Sequence, residues 1–330
     1  MEKIAVGVAT RNRPRMFAHM LESFLNLKWP DDSQIEFIFL ENNHTLQIQN
    51  TVEDFKEKLF KNTGNIPHIH TTAVESRHGI PFVRNRILDI ALDKGCDYLA
   101  FCDDDQTVNS DYLVELVRAA KVRSLDLVGS IARVETSSSA SDLTFFQKLV
   151  YNELRSHQEK QESHAIRLHT AHKDQDWKPG SGAMLCRLDF LRQHRIRFNE
   201  SLRYSHCEDL DFYYQVKTAG GQTGCAPRAI VYEVMPESRL SPTFQFKRHK
   251  NLTLARQNIR YAWGVKEKKV IRLSCTILGK LILGISRICL APFNRGRSFT
   301  RGVRVLGGAL GRLQSLLGHE DKHYVQTDGN

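Results

Sequence analysis

Along the N-terminal third of the chain, apolar and polar positions come in alternating blocks. "IAVGVA" (Ile4 to Ala9) is a short, β-branched run that breaks at the polar "TRNRP". Met16, Phe17, Met20, Leu21, Phe24 and Leu25 then recur at helical spacing. The pattern predicts a strand, a polar loop and an amphipathic helix. The unit repeats with "IEFIFL" (Ile35 to Leu40), the loop "ENNHT", a helix around Val52 to Phe60, and then "HIHTT". A further helix from about Pro81, with Val83, Ile87 and Ala91 on one face, precedes the strand "YLAFC". Strands and helices alternating through long crossovers predict parallel strands in an open α/β sheet covered on both faces. In such sheets ligands bind beyond the carboxyl ends of the strands, where the loops "TRNRP", "ENNHT" and "CDDDQ" should converge.

After Ile131 the alternation fades. "ETSSSASD" (Glu135 to Asp142) reads as a Ser-rich connection, followed by a helical stretch and a polar, His-containing segment up to Pro179. "GSGAMLCR" opens a second block, with a helix from Glu208 to Ala219 closed by Gly220 and Gly221. That block ends near Trp263, and no internal repeat is visible.

Charge changes the picture at the C-terminal end. The net charge is +10, and the segment Lys266 to Arg312 holds eleven Lys or Arg against one acid, Glu267. The remainder is therefore neutral overall. Arg272, Lys280 and Arg287 fall on one helical face with Ile, Leu and Cys opposite, and Arg297, Arg301, Arg304 and Arg312 repeat the arrangement. A basic amphipathic tail over 266–330 suits an anionic membrane surface, contacted through 266–317. The other reading is a pair of helices packed on the main domain with a solvated basic face. Gly279, Gly284, Gly307 and Gly308 weaken both helices, which suggests that they form only when bound. The tail lacks interleaved aromatics, which argues against nucleic acid as a partner.

No run of uncharged apolar residues is long enough to span a bilayer, and "MEKIAVGVAT" has no signal-peptide pattern. Seven cysteines without a CxxC read as reduced, buried thiols in a cytosolic protein. His68, His70, His164, His169 and His172 lack zinc-site spacing.

Three consecutive carboxylates, Asp103, Asp104 and Asp105, close the apolar run "YLAFC". Burying any of them unpartnered costs on the order of several kcal/mol, so a cation should compensate. Oxygen donors of this kind suit Mg2+ or Mn2+, and an ion held by one or two carboxylates keeps positions open for substrate phosphates. The alternative is a role at the start of the helix "SDYLVELVRAA", although Asn109 and Ser110 are the better N-cap candidates there.

"FCDDDQ" resembles the DxD region of the inverting nucleotide-sugar glycosyltransferases of family 2, which have the GT-A fold. "VGVATRNRP" is similar to that family's first strand and nucleotide loop, which implies donor contacts from Thr10, Arg11 and Asn12. "FIFLENNHT" resembles its second strand, with Glu41 in the place of the base-contacting acid. "HGIPFVRNRILDIA" implies that Arg84 and Asn85 lie near the diphosphate. "GSGAML" resembles the donor-sugar loop (Gly180, Ser181 and Gly182), and "FNESLRYSHCEDLDFYYQVKTAGG" the Glu-Asp motif, which carries the catalytic base onto Asp209 beside Glu208. The succinoglycan type is most resembled, because "AIVYEVMPESRLS" (Ala229 to Ser241) is similar to its Glu-x-x-Pro-x-x-Arg element. Gln106 departs from an acid common after the DxD, and the Gln-x-x-Arg-Trp motif of processive synthases is missing.

The resemblance implies a catalytic domain over 1–265, with a nucleotide-binding half (1–131) and a donor-sugar and acceptor half (132–265). It implies a metal on Asp105 and Asp103, assisted by Asp104, and a nucleotide-diphosphate sugar, a UDP-sugar in the first instance. The acceptor would be a saccharide or polyprenyl-linked, used at the cytoplasmic face of the plasma membrane. Glu208 and Asp209 at a helix start also interact favourably with its dipole, a role compatible with catalysis. Arg239 reads as one half of a structural or diphosphate ion pair. A sugar-nucleotide nucleotidyltransferase is the competing enzyme class, but its first loop is normally Gly-rich and "TRNRP" has no glycine. A non-enzymatic lipid- or nucleic-acid-binding module is the third reading.

Overall fold

The structure, a computed structural model, describes residues 1–64, 66–73, 77–136, 141–265 and 270–320. The middle of the Ser-rich connection and the first residues of the basic tail lie outside the described residues. The opening half reads as expected: β1 (Glu2–Thr10), α1 (Pro14–Phe24), β2 (Ser33–Glu41), α2 (Gln49–Thr63), β3 (His68–Ala73), α3 (Ile80–Asp93) and β4 (Tyr98–Asp103). Then come β5 (Gln106–Val108), α4 (Tyr112–Arg123), β6 (Leu127–Thr136), α5 (Phe145–Thr170), β7 (Ala183–Arg187) and α6 (Leu188–Gln193). The chain continues through α7 (Glu208–Thr218), β8 (Thr223–Met235), α8 (Pro242–Ala262), α9 (Val270–Cys289) and α10 (Phe299–Leu316).

All eight strands form one sheet in the order β3-β2-β1-β4-β7-β6-β8-β5. The first four pair in parallel, and β7 runs antiparallel to both β4 and β6. The sheet is covered on both faces at its centre, which is why β1, β2 and β4 are continuous apolar runs. Ile4, Val6 and Val8 of β1 pack under α1, α2 and α4, while Ala5, with Ile38 and Leu40 of β2, packs under α3, α7 and α8. Successive side chains alternate between the two layers.

The boundary at Ile131 between the two expected halves falls inside β6, and strands on either side of it share the sheet. Three expectations are corrected. The N-cap of α4 is Asp111, because Asn109 instead binds β8: its amide donates to Arg228 O at 3.1 Å and accepts from Ile230 N at 2.9 Å. Five cysteines are buried, but Cys275 and Cys289 on α9 are exposed. The tail glycines leave α9 and α10 helical without a bound partner, and Gly307 and Gly311 let α10 lie against α8. A Cβ at Gly311 would stand 2.2 Å from Lys250 O, and one at Gly307 would stand 2.5 Å from Phe246 O. Only residues without a side chain permit backbones this close. Among the described residues no helix is long and apolar enough to cross a membrane.

Candidate active site

The carboxyl ends of β1, β2 and β4 lie side by side, because Thr10 pairs with Glu41 and Ala9 with Asp103. The three polar loops therefore meet at one edge. Asn12, held at φ 52°, accepts a 3.0 Å hydrogen bond from Asn43, which ties the first loop to the second. Arg11 stands close enough to His78 for its charge to help hold that imidazole's pKa down, after burial.

The aspartates divide their roles. Asp104 is buried, and accepts from Thr10 Oγ1 at 2.7 Å and from Arg13 at 3.2 Å. Asp105 lies 3.5 Å from Arg13 and 3.5 Å from Arg239. Asp103 accepts from Arg84 at 2.8 Å. The cation that the sequence demanded is thus partly supplied by three guanidinium groups. The compensation is incomplete: burial, then Asp103, Asp104 and Glu233, keep the Asp105 carboxyl well above the usual range despite Arg13. Unneutralised charge on hard oxygen donors, with Asp103 left 38% exposed at its side chain, fits a divalent ion such as Mn2+ or Mg2+.

Arg84 joins the two halves of the site. It is 3% exposed on α3, and its two terminal nitrogens bind Asp103 at the end of β4 and Glu208 at the start of α7. Its charge is held in place by those carboxylates, against the cost of burial. Ser181 donates to Glu208 at 3.0 Å. Gly182 is required here, since a Cβ would stand 1.9 Å from an Asp103 oxygen. Gly180 lies against Asp209, 3.9 Å from the nearer carboxylate oxygen to a Cβ placed there.

Asp209, half-buried, accepts from Leu210 N at 2.7 Å. Burial and then Glu208 push its carboxyl above the usual range, opposed by the Leu210 hydrogen bond, Arg84 and Arg256. A carboxylate of raised basicity beside the diphosphate loops can accept a proton.

Two expected ligands are used elsewhere. The Asn85 amide donates to Phe198 O at 2.9 Å and accepts from Phe198 N at 2.9 Å, so it anchors the segment before α7 rather than facing a diphosphate. Glu41 is buried, and one of its oxygens accepts from Gln47 N and Ile48 N at the head of α2. Its carboxylate holds the second loop. Sequence reasoning missed Arg13 and Arg256. Arg13 lies within "TRNRP", two residues beyond Arg11, whereas Arg256 sits in α8 with no motif around it and reaches Asp209 only through the fold.

His169 comes together with Asp174 and Cys225, which the loose histidine spacing did not suggest. This trio serves the fold: although burial raises the Asp174 carboxyl, hydrogen bonds from Arg123 and Cys225 hold it well below the ordinary range. Arg123, 2.6 Å away, already occupies the place a cation would take.

Residues 5–171 match the family model described as "Glycosyl transferase family 2". The chain belongs to that family. The match ends before Gly180, Glu208 and Asp209; Arg84 joins Glu208 to the matched span, and the pairing of β7 with β4 brings the glycine loop against it. The succinoglycan biosynthesis protein ExoM of Rhizobium meliloti (strain 1021) is 26% identical over 277 residues, spanning 79% of each chain. Among solved structures, the mannosyltransferase PcManGT of Pyrobaculum calidifontis, in complex with GDP-Man and Mn2+, superposes with a TM-score of 0.57. It is 12% identical, over 96% of this chain and 88% of that one. S. aureus TarS 1-349 in complex with UDP gives 0.50 at 14% identity, over 96% and 92% of the two chains. At these identities the likeness is one of fold, and the fold of this glycosyltransferase is GT-A.

Proposed function

We propose that this protein is an inverting transferase that moves a sugar from a nucleotide-diphosphate sugar, such as a UDP-sugar, to a saccharide or lipid-linked acceptor during exopolysaccharide synthesis. One observation carries the reading: Arg84 binds Asp103 and Glu208 together, and so sets Asp209 beside the strand-end aspartates. Relatives support its terms. ExoM is named for succinoglycan biosynthesis, and the solved neighbours hold UDP or GDP-Man with Mn2+.

The donor diphosphate lies against Arg13 and the loop residues Arg11 and Asn12, with Thr10 and Arg84 behind it holding Asp104 and Asp103, and its sugar on Gly180 to Gly182. Asp103 and Asp105 would hold Mn2+ or Mg2+, which would neutralise charge on the departing diphosphate. Asp209 takes the proton of the acceptor hydroxyl. The hydroxyl oxygen bonds to the anomeric carbon as its bond to the diphosphate breaks on the opposite face, and configuration inverts. Glu208 keeps Arg84 in register. Asn85 and Glu41 position the loops. The enzyme works at the cytoplasmic face of the membrane, where nucleotide sugars and a lipid-linked acceptor meet.

The test is a panel of nucleotide sugars with Mn2+, Mg2+ or chelator, read by product NMR. Metal-dependent transfer with an inverted anomeric centre is expected. A product that keeps the donor's configuration would overturn the mechanism.

A further inference from the structure

Arg272, Arg295 and Arg297 face solvent, but five other basic residues of the tail are partly buried together. Lys280 and Arg287 of α9, Arg301, Arg304 and Arg312 of α10, and Lys160 of α5 line one cleft of about 380 Å3. Its volume lies in the range of small-ligand pockets. Among the described residues that line it, Glu153 is the single carboxylate, and it is taken by Arg301 at 2.7 Å. Burial lowers the affinity of Arg304, Arg312 and Lys280 for their protons, and neighbouring cations lower it further. His249, which receives the Arg304 Nε–H, is pushed down to about 3 by burial and then by Arg304, Arg248 and Arg256. Like charges gathered in this way are unfavourable until an anion joins them.

The opposite face of α9 is apolar and bare. Ile271, Leu278, Ile282 and Ile285 are exposed, Ile271 at 82%. Leu278, Ile282 and Ile285 follow one another at helical spacing, on the side away from Lys280. A helix that turns Lys280 and Arg287 inward and its aliphatic side chains outward is, over those turns, inverted for water. It suits a bilayer boundary, where the apolar stripe enters the headgroup region. A lipid with a terminal phosphate satisfies both faces.

The path from the cleft to the chemistry runs along α8. His249 and Thr253 line the cleft, and Arg256, whose charge acts on Asp209, follows at the next helical interval. Seven residues of helix separate His249 from Arg256, a rise of roughly 10 Å.

We infer that the cleft between α5, α8, α9 and α10 is a binding site for the terminal phosphate or diphosphate of a membrane lipid, as distinct from the phosphodiester of an ordinary phospholipid. On the transferase reading above, that lipid is the carrier of the acceptor. α9 seats the protein on the bilayer, the cleft receives the headgroup, and α8 directs the attached saccharide toward Asp209.

The full chain is tested by co-sedimentation with phosphatidylcholine vesicles carrying either farnesyl diphosphate or phosphatidylglycerol. Saturating UDP and Mn2+ are present so that the donor site is occupied. Farnesyl diphosphate vesicles should bind best, and Lys280→Gln with Arg312→Gln should weaken that binding roughly tenfold or more. Arg312→Lys, which keeps the charge, should restore most of it. Calorimetric binding of UDP with Mn2+ should be unchanged in every variant, which shows that the fold and donor site are intact. Equal binding of both vesicle types would reduce the cleft to general surface electrostatics and end the inference, as would unweakened binding by the double variant. If the vesicles bind as expected but the wild type takes neither UDP nor GDP with Mn2+, the transferase reading fails while the phosphate cleft stands.

Discussion

At the end of β4, Asp103, Asp104 and Asp105 stand against Arg84, Arg13 and Arg239, whereas in the cleft beneath α9 and α10 six cations face Glu153. Both clusters concentrate like charge in partly buried surroundings. In the first the chain itself supplies most of the counter-charge, in short hydrogen-bonded contacts from distant segments. In the second it supplies almost none. Internal ion pairs fix geometry before a ligand arrives, while unmatched charge leaves a free-energy deficit that only a ligand of opposite sign removes.

Neutralising a cation should therefore have opposite effects in the two places. Arg84→Met leaves Asp103 and Glu208 without a buried partner, and should cost about 3–5 kcal/mol in denaturant unfolding. Arg312→Gln removes repulsion instead, so its midpoint should hold or rise. A loss at Arg312 as large as that at Arg84 would break the comparison.

The next effect is on turnover. Asp209→Asn keeps the shape and much of the hydrogen bonding but cannot take a proton, so donor binding should persist while kcat falls by roughly a hundredfold or more. Near-normal turnover would remove Asp209 from its role.

A smaller change sharpens the second region. Gly311→Ala drives a methyl group into Lys250 O and should cost about 1–3 kcal/mol, with vesicle binding lost as α10 lifts from α8. Unfolding curves and sedimentation of the same protein read both effects.

The smallest expected effects are in pH dependence, and they again differ in sign. His249 protonates near its ordinary 6.5 when unfolded but only near about 3 in the fold, so the unfolded chain binds more protons in between. Stability contributed there is lost as pH falls through that window, and His249→Gln should flatten the loss. Asp105 is displaced upward, so the folded state binds its proton more tightly and acidification from neutral pH stabilises it. Melting temperatures of His249→Gln and Asp105→Asn across the acid range should depart from wild type in opposite directions.

What could be read in the one-dimensional pattern is whatever depends on neighbours in the chain. β1, β2 and β4 are continuous apolar runs because both of their faces are buried, and the loops after them meet because parallel strands end together. α7 opens on the Glu-Asp pair, and Gly220 takes the left-handed turn after the helix. Motif order was enough to bring Arg84, Asp103 and Asp209 into one site. Distant partners decided the rest. Asn85 and Glu41 match donor-site motifs, yet Phe198 and the head of α2 claim their side chains, and no local spacing encodes that competition. Arg256 has no motif because a helix 47 residues beyond Asp209 carries it to the base. The tail shows the limit most plainly. Its helical period separated Lys280 and Arg287 from the apolar face of α9, although Arg272 and Arg297 are exposed, and period says nothing about which face turns inward. Gly307 and Gly311 let α10 approach α8, and Gly284 and Gly302 let α9 approach α10, which leaves Arg304 and Arg312 lining a cleft and the apolar face of α9 outside.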